Sequence, residues 1–80
     1  MTTSRPRASS VDFSGSEMIL RLEDGRVVRV PLARFRRLAG APQIVLSNYR
    51  LLAHGEGIHW PTLDEDLSVA GLVRDFGTGR

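Results

Sequence analysis

Met18-Ile19-Leu20-Arg21-Leu22-Glu23-Asp24-Gly25-Arg26-Val27-Val28-Arg29-Val30 is the stretch that decides the fold. Met18, Leu20 and Leu22 alternate with Ile19 and Arg21, Asp24-Gly25 marks a reversal, and Val27, Val28 and Val30 follow, which is the pattern of a β-hairpin. A two-residue loop at Asp24-Gly25 sets Leu20 opposite Arg29 and Leu22 opposite Val27. A three-residue loop, Glu23 to Gly25 with Gly25 left-handed, sets Leu20 opposite Val28 and Met18 opposite Val30. Only the second puts Met18, Leu20, Leu22, Val28 and Val30 on one face and sends Arg21 and Arg29 outward. A one-residue slip moves every side chain to the other face, so the buried face selects the bulged hairpin.

Upstream, Val11 and Phe13 alternate with polar neighbours, predicting a strand from about Ala8 to Phe13, and Ser14-Gly15-Ser16 reads as a turn. Residues 1–8 hold little that a core could use and are expected to form a disordered tail. Downstream, Pro31 stops the ladder and suits a first helical turn. Leu32, Phe35, Leu38 and Ala39 recur at helical spacing up to Gly40 and Pro42. Residues 43–47 read equally as a helical turn or, through Ile44-Val45-Leu46, as a strand. Tyr49 to Ala53 and Ile58 to Trp60 form a second expected strand pair, with Gly55-Glu56-Gly57 supplying positive-φ backbone between them. Leu63 to Leu67 is expected as an acidic loop. Ser68 caps a last helix whose stripe is Val69, Leu72, Val73 and Phe76, ended by Gly77. The order β-β-β-α-(α)-β-β-α predicts an α+β domain of two layers over residues 9–76, a mostly antiparallel sheet with helices on one face, and a tail at 77–80.

Composition narrows the function classes. Of the 80 residues 41% are apolar and 25% charged, an ordinary globular balance, and there is no cysteine. Disulfides, thiolate metal sites and cysteine nucleophiles are thereby excluded. No apolar run reaches membrane-spanning length and MTTSRPRASS is not a signal peptide, so the expected location is the cytoplasm and no membrane partner is expected. All eleven basic residues are Arg. Nine stand in residues 1–53 against four acids, a local charge of +5, and two in residues 54–80 against five acids, a local charge of −3. An Arg-only basic half suits phosphates, but ordinary surfaces already carry this charge density, so solvated faces are the expected reading.

The constellations that carry chemistry elsewhere are weak here. His54, Glu56 and His59 supply enough donors for a metal, but their spacing matches neither a helical pair nor a zinc signature, and no metal or other cofactor is expected. Asp64, Glu65 and Asp66 crowd three acids ahead of the Ser68 helix, whose positive end favours negative charge. Phosphate-binding loops, dinucleotide fingerprints and nucleophile elbows are absent, and no enzymatic activity is expected. Trp60, the single Trp, precedes Pro61 and is weighed both as a core ring and as a contact residue.

The second hairpin carries a more specific pattern. Gly55-Glu56-Gly57-Ile58-His59-Trp60-Pro61, then Leu63-Asp64-Glu65-Asp66-Leu67-Ser68-Val69 and Gly71-Leu72, with Leu20-x-Leu22-x-Asp24-Gly25 and Val30-Pro31-Leu32, resembles the small prokaryotic family known as domain of unknown function 2442. The resemblance covers roughly residues 9–75. It implies an α+β fold and no established activity. Some relatives carry a helix-turn-helix, for which this chain has no room, and others are encoded beside a second small protein in what looks like a toxin–antitoxin pair. No site residues transfer. Asp24, Gly25, Trp60, Pro61, Asp64, Asp66 and Leu67 are explicable as turn, core and cap residues.

The expected function is a non-enzymatic protein-interaction module, antitoxin-like, whose partner is another small protein from a neighbouring gene. A homodimer through the open sheet face is a further arrangement the topology permits. The candidate contact residues are Ile19, Arg21, Val27, Arg29, Arg34, Arg36, Arg37 and Trp60. The alternative is an accessory nucleic-acid-binding protein using Arg21, Arg26, Arg29, Arg34, Arg36 and Arg37.

Overall fold

The Glu23–Gly25 reversal takes the bulged form its buried face requires. A computed structural model of the chain describes residues 5–77. In it β2 (Glu17–Leu22) and β3 (Val27–Pro31) pair antiparallel with Leu20 opposite Val28 and Met18 opposite Val30. Leu22 donates its N–H to the Arg26 carbonyl at 2.9 Å, and Gly25, at φ 96°, donates to the Leu22 carbonyl. β1 (Ala8–Ser14) joins the other side of β2 through the Gly15-Ser16 turn, with a register shift between Ala8 and Ser10. The first sheet is thus β1-β2-β3.

A second sheet, β4-β5-β6, follows from β4 (Arg50–Leu52), β5 (Gly57–Trp60) and β6 (Glu65–Ser68). The α+β class holds, and the residues expected as an acidic loop contribute this sixth strand. Within β6, Glu65 and Leu67 are half-buried while Asp66 and Ser68 are exposed, so the period of two is present. Two adjacent acids mask it, because Glu65 reaches inward to the Arg37 guanidinium at 3.7 Å. β5 and β6 are joined by Pro61-Thr62-Leu63-Asp64, where Asp64 takes φ 53°, a conformation that Asp tolerates better than most residues.

The expected helix from Leu32 to Ala39 is broken. A 310 turn, Leu32–Arg34, and α1 (Arg36–Ala39) are separated by Phe35 in extended conformation, φ −123° and ψ 105°. Neither piece has a side-chain N-cap, and isolated turns of this length do not hold themselves together, so tertiary contacts dictate the path. The break lets Phe35 meet Phe76 edge-on at 6.1 Å between ring centroids. Residues 43–46 form a helical turn, α2 (Gln43–Leu46), which settles the ambiguity at that position. α3 (Val69–Phe76) starts as expected, with Ser68 Oγ accepting from the Gly71 N–H.

One core unites the two sheets. Met18, Leu20, Val30, Leu38, Ile58, Trp60 and Val69 are fully buried within a cluster that also holds Ala8, Val11, Leu22, Val28, Leu32, Leu46 and Leu72. Trp60 is its largest member and donates its indole N–H to the Leu46 carbonyl at 3.0 Å, satisfying the one polar atom such a ring must bury. The expectation that Trp60 serves as a contact residue is corrected by this burial. Residues 1–4 and 78–80, expected as parts of the two tails, lie outside the described residues. Among the described residues no helix is long and apolar enough to cross a membrane.

Candidate functional site

The outward face of the first sheet is a grid fixed by register. Arg21 lies between Ser10 and Val27, Ile19 between Asp12 and Arg29, and Glu17 between Ser14 and Pro31. The Arg21 guanidinium reaches diagonally to Asp12 at 3.0 Å, and Arg29 to Glu17 at 3.1 Å. Both pairs are exposed and contribute at most about 1 kcal/mol each. They leave Ile19 half-buried at the centre and Val27 48% exposed beside it.

Beside this grid runs a groove of about 530 Å³ lined by Ile19, Arg21, Val27, Val28, Arg29 and Phe76. Four of those six residues are apolar, two are Arg and none is acidic. Phe76 comes from the last turn of α3. The Arg34 guanidinium stacks 5.2 Å from the centroid of its ring, a cation–π contact that holds a further positive charge beside the groove. The sequence places Phe76 on the helix stripe and so in the core. Gly77 marks Phe76 as the end of α3 but does not say which part of the sheet its ring meets.

The structure therefore brings Ile19, Arg21, Val27 and Arg29 together on one face and adds Arg34 through its contact with the Phe76 ring. The other candidates stand apart. Arg36 is exposed on α1, and Arg37 donates to the Leu63 carbonyl at 3.0 Å and faces Glu65, so it is committed to the turn ahead of β6. A smaller cleft of about 280 Å³ is lined by Arg5, Pro6, Arg7, Glu23, Asp24 and Arg26, a set of mixed charge. There Asp24 accepts from the Arg26 N–H at 3.0 Å and from its guanidinium at 2.8 Å, and these bonds hold its carboxyl below the usual carboxylate range.

His54, Glu56 and His59 do not converge. His54 is exposed in a left-handed turn formed with Ala53 and Gly55, at φ 49°, 58° and 95° for residues 53 to 55. The positive-φ backbone expected at Gly55-Glu56-Gly57 is thus shifted two residues towards the N-terminus. Glu56 pairs with Arg5 at 3.6 Å and Arg7 at 3.7 Å. His59 meets Asp66 across β5 and β6 at 2.5 Å. Among the described residues no group of three or more His, Asp or Glu side chains could hold a metal ion. The run Asp64-Glu65-Asp66 is likewise dispersed. Asp64 makes the turn, Glu65 faces Arg37, Asp66 faces His59, and none stands in the first turn of α3.

Comparison with known proteins agrees with this architecture. The chain is similar to a protein of unknown function from Rhodospirillum rubrum ATCC 11170, whose crystal structure matches with a TM-score of 0.77 and 34% sequence identity. The match covers 96% of this chain and 95% of that one. No curated protein matches the chain. Residues 8–78 match the family described as "Protein of unknown function (DUF2442)", and a match over nearly the whole chain makes this protein a member of that family.

Proposed function

We propose that this protein is a non-enzymatic interaction module that binds another small protein, in the manner of an antitoxin, through the outward face of its first sheet. The observation that carries this reading is the groove: apolar Ile19, Val27, Val28 and Phe76 in one depression, with Arg21 and Arg29 at its border. An exposed apolar patch rimmed by charge is the signature of an interface. Further support comes from the side chains that acid–base or metal chemistry would recruit. His59 is engaged by Asp66, Glu56 by Arg5 and Arg7, and Glu65 by Arg37. In this reading the protein acts in the cytoplasm.

The test is co-expression with the product of the adjacent gene. Co-purification at micromolar concentration is expected, lost in Val27→Asp and kept in Arg74→Ala, whose side chain lies on α3 away from the groove lining. Failure of the wild-type chain to co-purify defeats the reading. A second reading, nucleic-acid binding, is favoured by Arg34, Arg36 and Arg50, which make no ion pair among the described residues. It is weakened by Arg5, Arg7, Arg21, Arg26, Arg29, Arg37 and Arg74, each of which faces a carboxylate. Phosphate-driven binding must weaken steeply with added salt, so a salt titration against duplex DNA and RNA separates the two.

A further inference from the structure

The backbone of β3 carries a second feature at the same place. Antiparallel pairing alternates between residues that exchange both hydrogen bonds with the partner strand and residues whose N–H and C=O point away from it. The bonds from Leu22 N–H to the Arg26 carbonyl and from Leu32 N–H to the Ser16 carbonyl fix the parity of β2 and β3. Val28 and Val30 therefore bond to β2, and Val27 and Arg29 direct their N–H and C=O groups outward. β3 is the last strand of its sheet, so no strand among the described residues takes up those groups. Pro31, which has no N–H, ends the available ladder.

The groove straddles this edge. Val27 and Arg29 line it from the outward face of the sheet, Val28 and Phe76 from the inward side. A strand laid antiparallel along β3 places two alternate side chains beside Arg29 and Val27 and the one between them against Phe76. Charge decides the occupant. The lining itself holds Arg21 and Arg29 and no acid. Asp12 and Glu17 share the charge of these two on the sheet face beside it, while Arg34, stacked on Phe76, faces no carboxylate among the described residues and leaves the groove net positive. A second copy would bring a second unpaired Arg34 to this rim, whereas a segment carrying a carboxylate opposite Arg29 adds the negative charge the groove lacks.

We infer that the partner is held as an extended strand added antiparallel to the free edge of β3, with an acidic side chain opposite Arg29, an apolar one over Phe76 and another beside Val27. This rests on the protein-binding role proposed for that surface. Main-chain bonds supply the affinity of such strand addition and alternate side chains its specificity.

The probe is a terminally blocked peptide, Thr-Glu-Leu-Val-Thr, followed through the amide resonances of the full chain. At millimolar peptide the Val27 and Arg29 amides are expected to shift and to exchange more slowly with solvent, while Val28 and Val30, already bonded to β2, hold their exchange rates. A peptide N-methylated at Leu must bind as well, because that N–H faces away from β3. One N-methylated at Glu and Val must bind at least about tenfold more weakly, and so must the plain peptide against Arg29→Glu. Unchanged Val27 and Arg29 amides, or equal binding of both methylated peptides, overturn strand addition. So does a free chain that is already dimeric with both amides protected, since the edge then belongs to a second copy. If Val27→Asp abolishes co-purification of the neighbouring gene product while the peptide leaves the edge untouched, the surface stands and strand addition falls. If the peptide binds and no partner co-purifies, the edge stands and the antitoxin-like role falls.

Discussion

The two outer edges of the first sheet have been treated in opposite ways. Along β1 the chain's own later elements close the edge. The outward N–H of Val11 donates to the Tyr49 hydroxyl at 3.0 Å, and the Phe13 ring meets that of Tyr49 edge-on at 6.4 Å. The left-handed turn at Ala53-His54-Gly55 presses on the start of the strand, so tightly that a Cβ at Gly55 would stand 2.5 Å from the Ala8 carbonyl oxygen. Along β3 the outward groups of Val27 and Arg29 meet no strand among the described residues, and an apolar groove lies beside them. An unpaired edge is a hazard that proteins usually shorten, charge or cover. β1 is covered, while β3 is left short and charged, with Pro31 at its end. What differs is whether a distant part of the chain reaches the edge.

The largest expected effect breaks the closed side. Gly55→Val forces a side chain into the Ala8 backbone at a residue held at φ 95°, and should cost about 3 kcal/mol in urea-induced unfolding. Its counterpart on the open hairpin, Gly25→Ala, meets no atom within 4 Å and carries only the conformational penalty of φ 96°, about 1 kcal/mol. Equal losses at the two glycines would mean that the turn does not press on β1 as described.

Tyr49→Phe removes the acceptor for the Val11 N–H and should cost about 1 kcal/mol, with faster hydrogen exchange at Val11 and little change at Val28. Even in the unmodified chain, the Val11 amide should exchange far more slowly than those of Val27 and Arg29, although all three point away from β2. Val27→Thr, on the open edge, should change stability by less than about 0.5 kcal/mol. The smallest effect concerns pH. Asp24 has its carboxyl lowered in the folded chain, so its contribution is complete above the unfolded carboxylate range and is lost as pH falls through the lower folded value. Asp24→Asn should flatten the acid limb of the stability curve slightly, and an unchanged limb would show that the Arg26 contacts do not survive in solution.

Much of this arrangement was legible in the chain. The register of β2 and β3 followed from one decision, because only the bulged loop gathers Met18, Leu20, Leu22, Val28 and Val30 on one face. Ser68 announced α3 through the oxygen it offers to Gly71 N–H. Ile19, Arg21, Val27 and Arg29 share their face because alternate residues of paired strands must. The errors have a common origin. Phe35 leaves the helical path to meet Phe76, forty-one residues on. Glu65 hides a strand because the charge that makes it look like loop is neutralised by Arg37 of α1. Trp60 reads in the sequence as a contact candidate as well as a core ring, and the Leu46 carbonyl, fourteen residues back, gives its indole a partner inside the core. Phe76 was missed at the groove because nothing in its spacing says where α3 ends relative to β3.

The sequence by itself determined the first hairpin, its register, the cap of the last helix and the residues that share an outward face. These depend on periodicity and turn chemistry acting over a few neighbours. Only the tertiary structure decided which sheet edge is sealed, where the acids of residues 64–66 point and that Phe76 lines a groove. Those outcomes depend on hydrogen bonds and packing between groups tens of residues apart, which no local pattern encodes.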